Sequence, residues 1–293
     1  MFFVMNLYKG IAIKAFSNIK NNLILFLPDI FALVSQLAIF LLVLYFSGLF
    51  FDLANQPEIL LSKEMFVKAA ENLFKDTSRV VYLSVSLIVF LITSFLIGSA
   101  FDAMKYGMIN DVTSKRKTSL KSGVVNGKRY FIRVIFLKLV IFLITIVPIA
   151  IVFILTMVLY KFINSAAILI GALLAILAVL FLILITLAFL FRYPIMFSNL
   201  SVIETIKKAY SFFKNNIKFT IICELIIIAI GLAFSLVVYW PLNLIQLSIE
   251  NTAFFKANIM LVASMFIIIK RFLDIIPTVF IDVFAFDAYK SKR

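Results

Sequence analysis

The sequence predicts an all-α, polytopic integral membrane protein: six transmembrane helices arranged as three repeated hairpins, with cytoplasmic amphipathic interfacial helices. Three observations carry this reading. First, 64% of the 293 residues are hydrophobic, against about half in an ordinary soluble domain, and the mean hydropathy is +1.15. Second, the excess is gathered into runs of about 20 residues, the length a helix needs to cross about 30 Å of hydrocarbon. Third, a phrase recurs: Lys14–Asn22 reads KAFSNIKNN and Lys208–Asn216 reads KAYSFFKNN, each leading from a basic stretch into an apolar run. A second phrase closes the return run, AFDAMK at Ala100–Lys105 and AFDAYK at Ala285–Lys290. The chain reads as a single membrane domain, 1–293, with hairpin units of about 1–105, 106–192 and 193–293.

Residues 1–22 read as an interfacial helix, with Val4, Tyr8, Ile11, Ala12, Ala15, Phe16 and Ile19 on one face and Asn6, Lys9, Lys14, Ser17 and Asn21 on the other. Leu23–Phe51 is the first span, with Pro28 and Asp29 near its entry. Residues 52–78 form a nearly neutral loop in which Ser62 caps a short helix bearing Phe66, Ala69, Ala70, Leu73 and Phe74 on one stripe. Val80–Phe101 is the second span, followed by the strongly basic segment 102–133. Val134–Tyr160 and Ala166–Phe191 are the third and fourth spans, joined by a tight turn at Lys161–Ser165. Ser201 and Glu204 then form a capping box. The helix it opens has Val202, Ile203, Ile206, Ala209, Tyr210 and Phe213 on its apolar face and Lys207, Lys208, Ser211 and Lys214 on the other. Phe219–Leu247 is the fifth span, and Trp240 is placed to anchor at the far interface. Ala257–Phe286 is the sixth, interrupted by Lys270, Arg271, Asp274 and Pro277.

The net charge of +14 fits the positive-inside rule better than nucleic-acid binding, because the basic residues sit in alternate loops. One side collects the two termini, 102–133 and 192–218; the other has only Lys63, Lys68, Lys75, Arg79, Lys161 and Lys256. The expected location is therefore the cell (cytoplasmic) membrane, multi-pass, with both termini cytoplasmic. A cleavable signal peptide is not expected: the first apolar run is too long and no A-x-A-like site follows it. The single cysteine, Cys223, excludes an intrachain disulfide and reads as a small hydrophobe.

The middle unit is the weaker copy. Lys121–Tyr130, KSGVVNGKRY, holds the place before the third span, with glycines and basic residues where the asparagines stand. Aligning the units brings Asp29, Lys138 and Glu224 to nearly the same depth, two or three turns into odd-numbered spans, where charges tend to pair or to line a wet cavity. The alternative for these is snorkelling to headgroups. Lys270, Arg271 and Asp274 form the sharper anomaly: Asp274 is placed to pair with either cation, and Pro277 frees a backbone carbonyl beside them. These six residues are the candidate intramembrane polar site. Asp102 and Asp287 are read as pairing with nearby Lys105 and Lys290. Lys207, Lys208 and Lys214, with Lys128, Arg129 and Arg133, are the candidate contacts for anionic lipid, each worth up to about 1 kcal/mol beside an acidic leaflet.

No histidine is present, and no zincin, nucleophile-elbow or phosphate-loop motif appears. No catalytic, cofactor-binding or metal-ligating residue is therefore assigned, and an enzyme is not expected. Phe191–Pro194, Glu204, Ala209, Ser211, Lys214 and Asn216 carry a resemblance to six-span membrane proteins related to the glycerophosphodiester phosphodiesterase membrane domain and to YciC-like families. The resemblance implies a membrane fold without an assigned reaction, since the soluble phosphodiesterase domain is lacking. The expected function is a non-catalytic, lipid-interacting or organising role in the membrane. The alternative is a transporter or permease-like protein for a small anionic solute. Expected partners are membrane lipids, anionic ones first, and not nucleic acid; a second copy or another membrane protein stays open.

Overall fold

The computed structural model describes residues 2–46, 67, 76–115, 117–162, 166–250, 252, 255 and 258–292. The short helix expected within 62–74 lies outside the described residues. Among the described residues every element is helical, and five helices are long and apolar enough to cross a membrane: Leu23–Phe46, Thr77–Lys115, Leu120–Val158, Ile170–Met196 and Ile217–Ile249. That makes the chain a membrane protein.

Helix α1 (Phe2–Lys20) packs Tyr8, Ile11, Ala15 and Ile19 into the core. Phe16, expected on the same face, is 63% exposed, because the buried stripe follows positions 8, 11, 15 and 19 and leaves 16 at its edge. The chain breaks at Asn22 (φ −141°, ψ 59°), makes one tight 3-10 turn over Leu23–Phe26, and enters α2 (Leu27–Phe46). Pro28 sits in the first turn of α2, where its missing N–H costs nothing. Asp29 follows in the same turn, at the positive end of the helix dipole.

Helices α3 (Thr77–Lys115) and α4 (Leu120–Phe162) are longer than the spans predicted within them. The basic segment 102–133 is mostly the helical continuation of the second and third spans, with non-helical residues at 117–119. The middle copy of the repeated phrase does not break the helix. Its Asn126 instead donates to Asp111 Oδ2 at 3.2 Å, and Ser122 Oγ donates to the same oxygen. Glycine sets how closely α3 and α4 approach: a Cβ on Gly107 would lie 2.3 Å from Asn126 Cβ, and one on Gly127 would lie 2.6 Å from Met104 Cγ.

Helix α5 (Ala166–Ala188) leads through a short turn to α6 (Arg192–Met196), and α7 (Val202–Asn215) follows. The capping box opens α7 as expected: Glu204 N donates to Ser201 Oγ at 3.3 Å and Ser201 N donates to Glu204 Oε2 at 2.9 Å. Those bonds favour the ionised carboxylate and lower the Glu204 pKa. Thr205, Ala209 and Phe213 are buried, whereas Ile203 and Tyr210, expected on the apolar face, are exposed. They flank the covered row by one position, as Phe16 does in α1.

The chain breaks again at Asn216 (φ −134°, ψ 39°), close to the angles of Asn22. In both places the asparagine amide donates back to the carbonyl four residues earlier, Asn22 to Asn18 at 2.9 Å and Asn216 to Phe212 at 3.1 Å. Helix α8 (Ile217–Phe234) then continues through a π turn at Ser235–Tyr239 into α9 (Trp240–Glu250). Helix α10 (Ile259–Lys292) closes the chain and is unbroken through Pro277. It is not among the five most apolar helices, since Lys270, Arg271 and Asp274 interrupt it.

The packed core sits at one end of the bundle. Ala15, Met108, Ile109, Val134, Leu137, Ile195, Met196, Val283 and Phe286 are buried there. By contrast, the most apolar windows of α3 and α4 contain no buried residue. Those windows are only partly covered by their neighbours, as where Phe40 of α2 meets Phe90 of α3 at 5.8 Å, while the ends near α1, α6, α7 and the last turns of α10 fold together.

Candidate functional site

The core end holds a cluster of charges. Lys105, on the extension of α3, has a side chain only 4% exposed; its Nζ lies 2.8 Å from Asp282 Oδ2, 3.1 Å from Asp29 Oδ1 and 3.7 Å from Asp102 Oδ1. Lys138 of α4 reaches Asp102 Oδ2 at 2.5 Å. The cluster thus joins α2, α3, α4 and α10, and it holds one more carboxylate than ammonium groups. Such charges persist out of water only because each is matched at contact distance. Asp29 Oδ2 is buried and accepts no hydrogen bond.

Two expected site residues, Asp29 and Lys138, therefore meet through Lys105 and Asp102. Asp102 pairs with Lys105 as expected. Asp287 does not pair with Lys290. Its Oδ1 lies 2.9 Å from Lys14 Nζ, and its Oδ2 accepts from Asn18 Nδ2 at 2.8 Å, tying α10 to α1. Lys290 points the other way, donating to Thr113 Oγ1 at 2.7 Å and to Ser114 Oγ at 2.6 Å on α3. The tertiary partner outcompetes the neighbour on the same helix because Asp287 is buried against α1. Burial pushes the Asp287 carboxyl up, and the Lys14 and Asn18 contacts pull part of the way back.

The pairing expected among Lys270, Arg271 and Asp274 is not made. Lys270 Nζ donates to Gln246 Oε1 at 2.9 Å on α9, Arg271 is exposed, and no ion pair joins either cation to Asp274 among the described residues. The reason is packing: α9 supplies Lys270 with a partner across the helix pair, so the pairing within α10 is not made.

Glu224 lies in a separate cavity of about 200 Å³ beside the charge cluster. Arg192 and Tyr193 of α6 line it, with Tyr106, Asp282, Ile227 and Thr186. Tyr106 and Tyr193 stack with centroids 3.9 Å apart and form one wall. The Arg192 guanidinium lies over the Tyr193 ring at 4.7 Å, and its Nη1 donates to the Phe189 carbonyl at 3.0 Å. Glu224 Oε2 is buried without a hydrogen-bond partner.

The basic face divides. Lys128, Lys207, Lys208 and Lys214 are exposed. Arg129 donates to Asn199 Oδ1 at 3.0 Å, and Arg133 lies 3.5 Å from the Leu200 carbonyl, so both brace the turn before α7. Tyr130 donates to the same Asn199 oxygen at 2.5 Å, holding that residue at φ 66°. Cys223 is fully buried, as a small hydrophobe would be.

The sequence reading missed Asp282, Arg192 and the Tyr106–Tyr193 stack. Asp282 carried a usable signal, an acid in an apolar run, the same anomaly that drew attention to Lys270. No family model, curated protein or solved structure matches the chain, so the resemblance noted above stands on Phe191–Pro194, Glu204, Ala209, Ser211, Lys214 and Asn216 alone.

Proposed function

We propose that this chain is a six-span, non-catalytic protein of the cell membrane that binds and organises lipid at its cytoplasmic face. The observation that carries the reading is α7. Its capped, amphipathic helix buries Thr205, Ala209 and Phe213 against the bundle and leaves Lys207, Lys208 and Lys214 exposed, with Ile203 and Tyr210 at the margin. A basic row beside exposed apolar side chains suits an anionic interface.

Parity supports the sixth span. The start of α2 and the end of α10 both lie at the core end, linked through Lys105, whose Nζ lies 3.1 Å from Asp29 Oδ1 and 2.8 Å from Asp282 Oδ2. A chain that leaves and returns to one face crosses an even number of times, which makes α10 the sixth crossing beside the five most apolar helices. The like geometry of Asn22 and Asn216 supports a duplicated hairpin, in which an interfacial helix hands over to a span. The excess of Lys and Arg at this end favours a cytoplasmic placement for both termini. A second copy or another membrane protein remains a natural partner for the partly covered apolar windows. The transport alternative draws on Lys270, Arg271 and Asp274 together with a vestibule at Asp29 and Glu224; Lys270 bonds Gln246 rather than Asp274, which favours the lipid reading.

The test is lipid retention. The protein carrying Lys207→Ala, Lys208→Ala and Lys214→Ala together, purified from mixed membranes, is expected to keep several-fold less phosphatidylglycerol than the parent chain. Unchanged retention in a normally folded variant overturns the proposal.

A further inference from the structure

We propose that the cavity between α5, α6, α8 and α10 is a binding site for one zwitterionic phospholipid headgroup, its phosphate at Arg192 and its ammonium at Glu224. The inference rests on the lipid-binding reading above but uses different residues. Arg192 and Glu224 line the same cavity, and neither forms an ion pair with a protein group among the described residues. Arg192 spends one N–H on the Phe189 carbonyl, and a guanidinium has five to offer in a fork suited to phosphate. Glu224 presents a buried oxygen, Oε2, with no donor against it. A buried acceptor left unmatched is costly, and an ammonium N–H supplies the missing donor.

The register of the helices orders the cavity by depth. Helix α8 enters the membrane from Ile217, so Ile227 lies deeper than Glu224. Helix α5 arrives from the opposite side, so Thr186 and Leu190 lie deeper than Arg192. On α8 and α5 the polar Glu224 and Arg192 thus lie shallower than Ile227 and Leu190, whereas on α10, which ends at the same face, Asp282 lies deeper than Ala285 and Phe286. Further along, Ile183, Leu184, Ile228 and Leu232 are exposed, a surface on which acyl chains can lie. The volume is adequate: about 200 Å³ equals roughly six waters at about 30 Å³ each, room for a small headgroup. Asp282 also lines the cavity and its Oδ2 likewise accepts no hydrogen bond, but its charge is paired with Lys105 at 2.8 Å, whereas Glu224 has no ion pair among the described residues. The ammonium is accordingly placed at Glu224. A primary amine fits there better than a trimethylated one, which has no N–H to donate.

The experiment is native mass spectrometry of the full chain released from nanodiscs of equimolar phosphatidylethanolamine, phosphatidylcholine and phosphatidylglycerol. The parent protein is expected to retain phosphatidylethanolamine at least fivefold over phosphatidylcholine. Glu224→Gln is expected to abolish that discrimination while still retaining phospholipid, and Arg192→Gln to reduce retention of both. Far-UV circular dichroism melts confirm that the variants fold. Equal retention of the ethanolamine and choline lipids by the parent chain overturns the proposal without any mutation, as does unchanged discrimination in folded Glu224→Gln. A competition arm uses soluble phosphoethanolamine. Displacement of the lipid by the free compound at similar concentration would mean a soluble-zwitterion site and would also overturn it. The α7 lysines do not enter the ethanolamine–choline ratio. Loss of phosphatidylglycerol retention in the α7 variant therefore reports on the interfacial reading, and the ratio reports on the cavity.

Discussion

Replacing Lys105 with methionine keeps the length and apolar stem of the side chain and removes its charge. In the parent protein Nζ lies 2.8 Å from Asp282 and 3.1 Å from Asp29, with only 4% of the side chain exposed, so solvent does little to screen the pairs. Asp102 keeps Lys138 at 2.5 Å, but Asp29 and Asp282 lose their amine. Breaking a buried pair from one side costs about 3–5 kcal/mol, mostly through the charge left behind. The two acids share one amine, so the cost is taken once rather than twice. At about 1.4 kcal/mol per tenfold, the folding constant should fall by roughly two to four orders of magnitude. Reversible unfolding in mixed micelles, followed by far-UV circular dichroism, measures it. Adding Asp282→Asn to Lys105→Met should recover part of the loss, because it removes one of the two orphaned charges and the repulsion between them. Lys14→Met provides the contrast: its side chain is 55% exposed and its buried partner Asp287 keeps the Asn18 bond, so it should cost less than Lys105→Met. The reasoning is refuted if Lys105→Met costs no more than Lys14→Met, or if the double variant is no better than the single.

Further outcomes follow from other sites. Ser201→Ala removes the α7 cap and should destabilise the folded state by about 1 kcal/mol in the same unfolding assay. Two carboxyls should respond to pH in opposite senses. Glu204 has a lowered pKa, so its contribution is present above the ordinary glutamate value and is lost as the pH falls through the folded value. Asp287 has a raised pKa, so its contribution is complete below the ordinary aspartate value and is lost as the pH rises through the folded one. Carbonyl-labelled NMR titration of each carboxyl in micelles should show both displacements, and equal, ordinary midpoints would refute the assignment. Asp287→Asn should be close to neutral at pH 7, whereas Asp287→Ala should cost about 1–3 kcal/mol by leaving Asn18 without its acceptor, as read from unfolding midpoints. Gly127→Val should force α3 and α4 apart and cost about 1–3 kcal/mol, since even a Cβ there meets Met104 Cγ at 2.6 Å; a thermal melt identical to that of the parent would contradict the close approach.

The sequence by itself determined the membrane class, the positions of the five most apolar helices, the capping box at Ser201–Glu204 and the two places where a helix breaks before a span. These properties are local. Hydropathy over about 20 residues, a serine three residues before a glutamate, or an asparagine able to reach back one turn acts within a few residues of chain. Only the tertiary structure decided which charges meet. Asp102 kept its neighbour Lys105, yet Asp287 left Lys290 for Lys14, and Lys270 took Gln246 instead of Asp274. Side chains on one helix face are always available to each other, so spacing alone overstates them. A buried charge is held by whichever partner the packing brings to contact distance, and that depends on helices far apart in the chain. The Lys105 cluster and the Arg192–Glu224 cavity have that origin: each exists only where the ends of the bundle fold together.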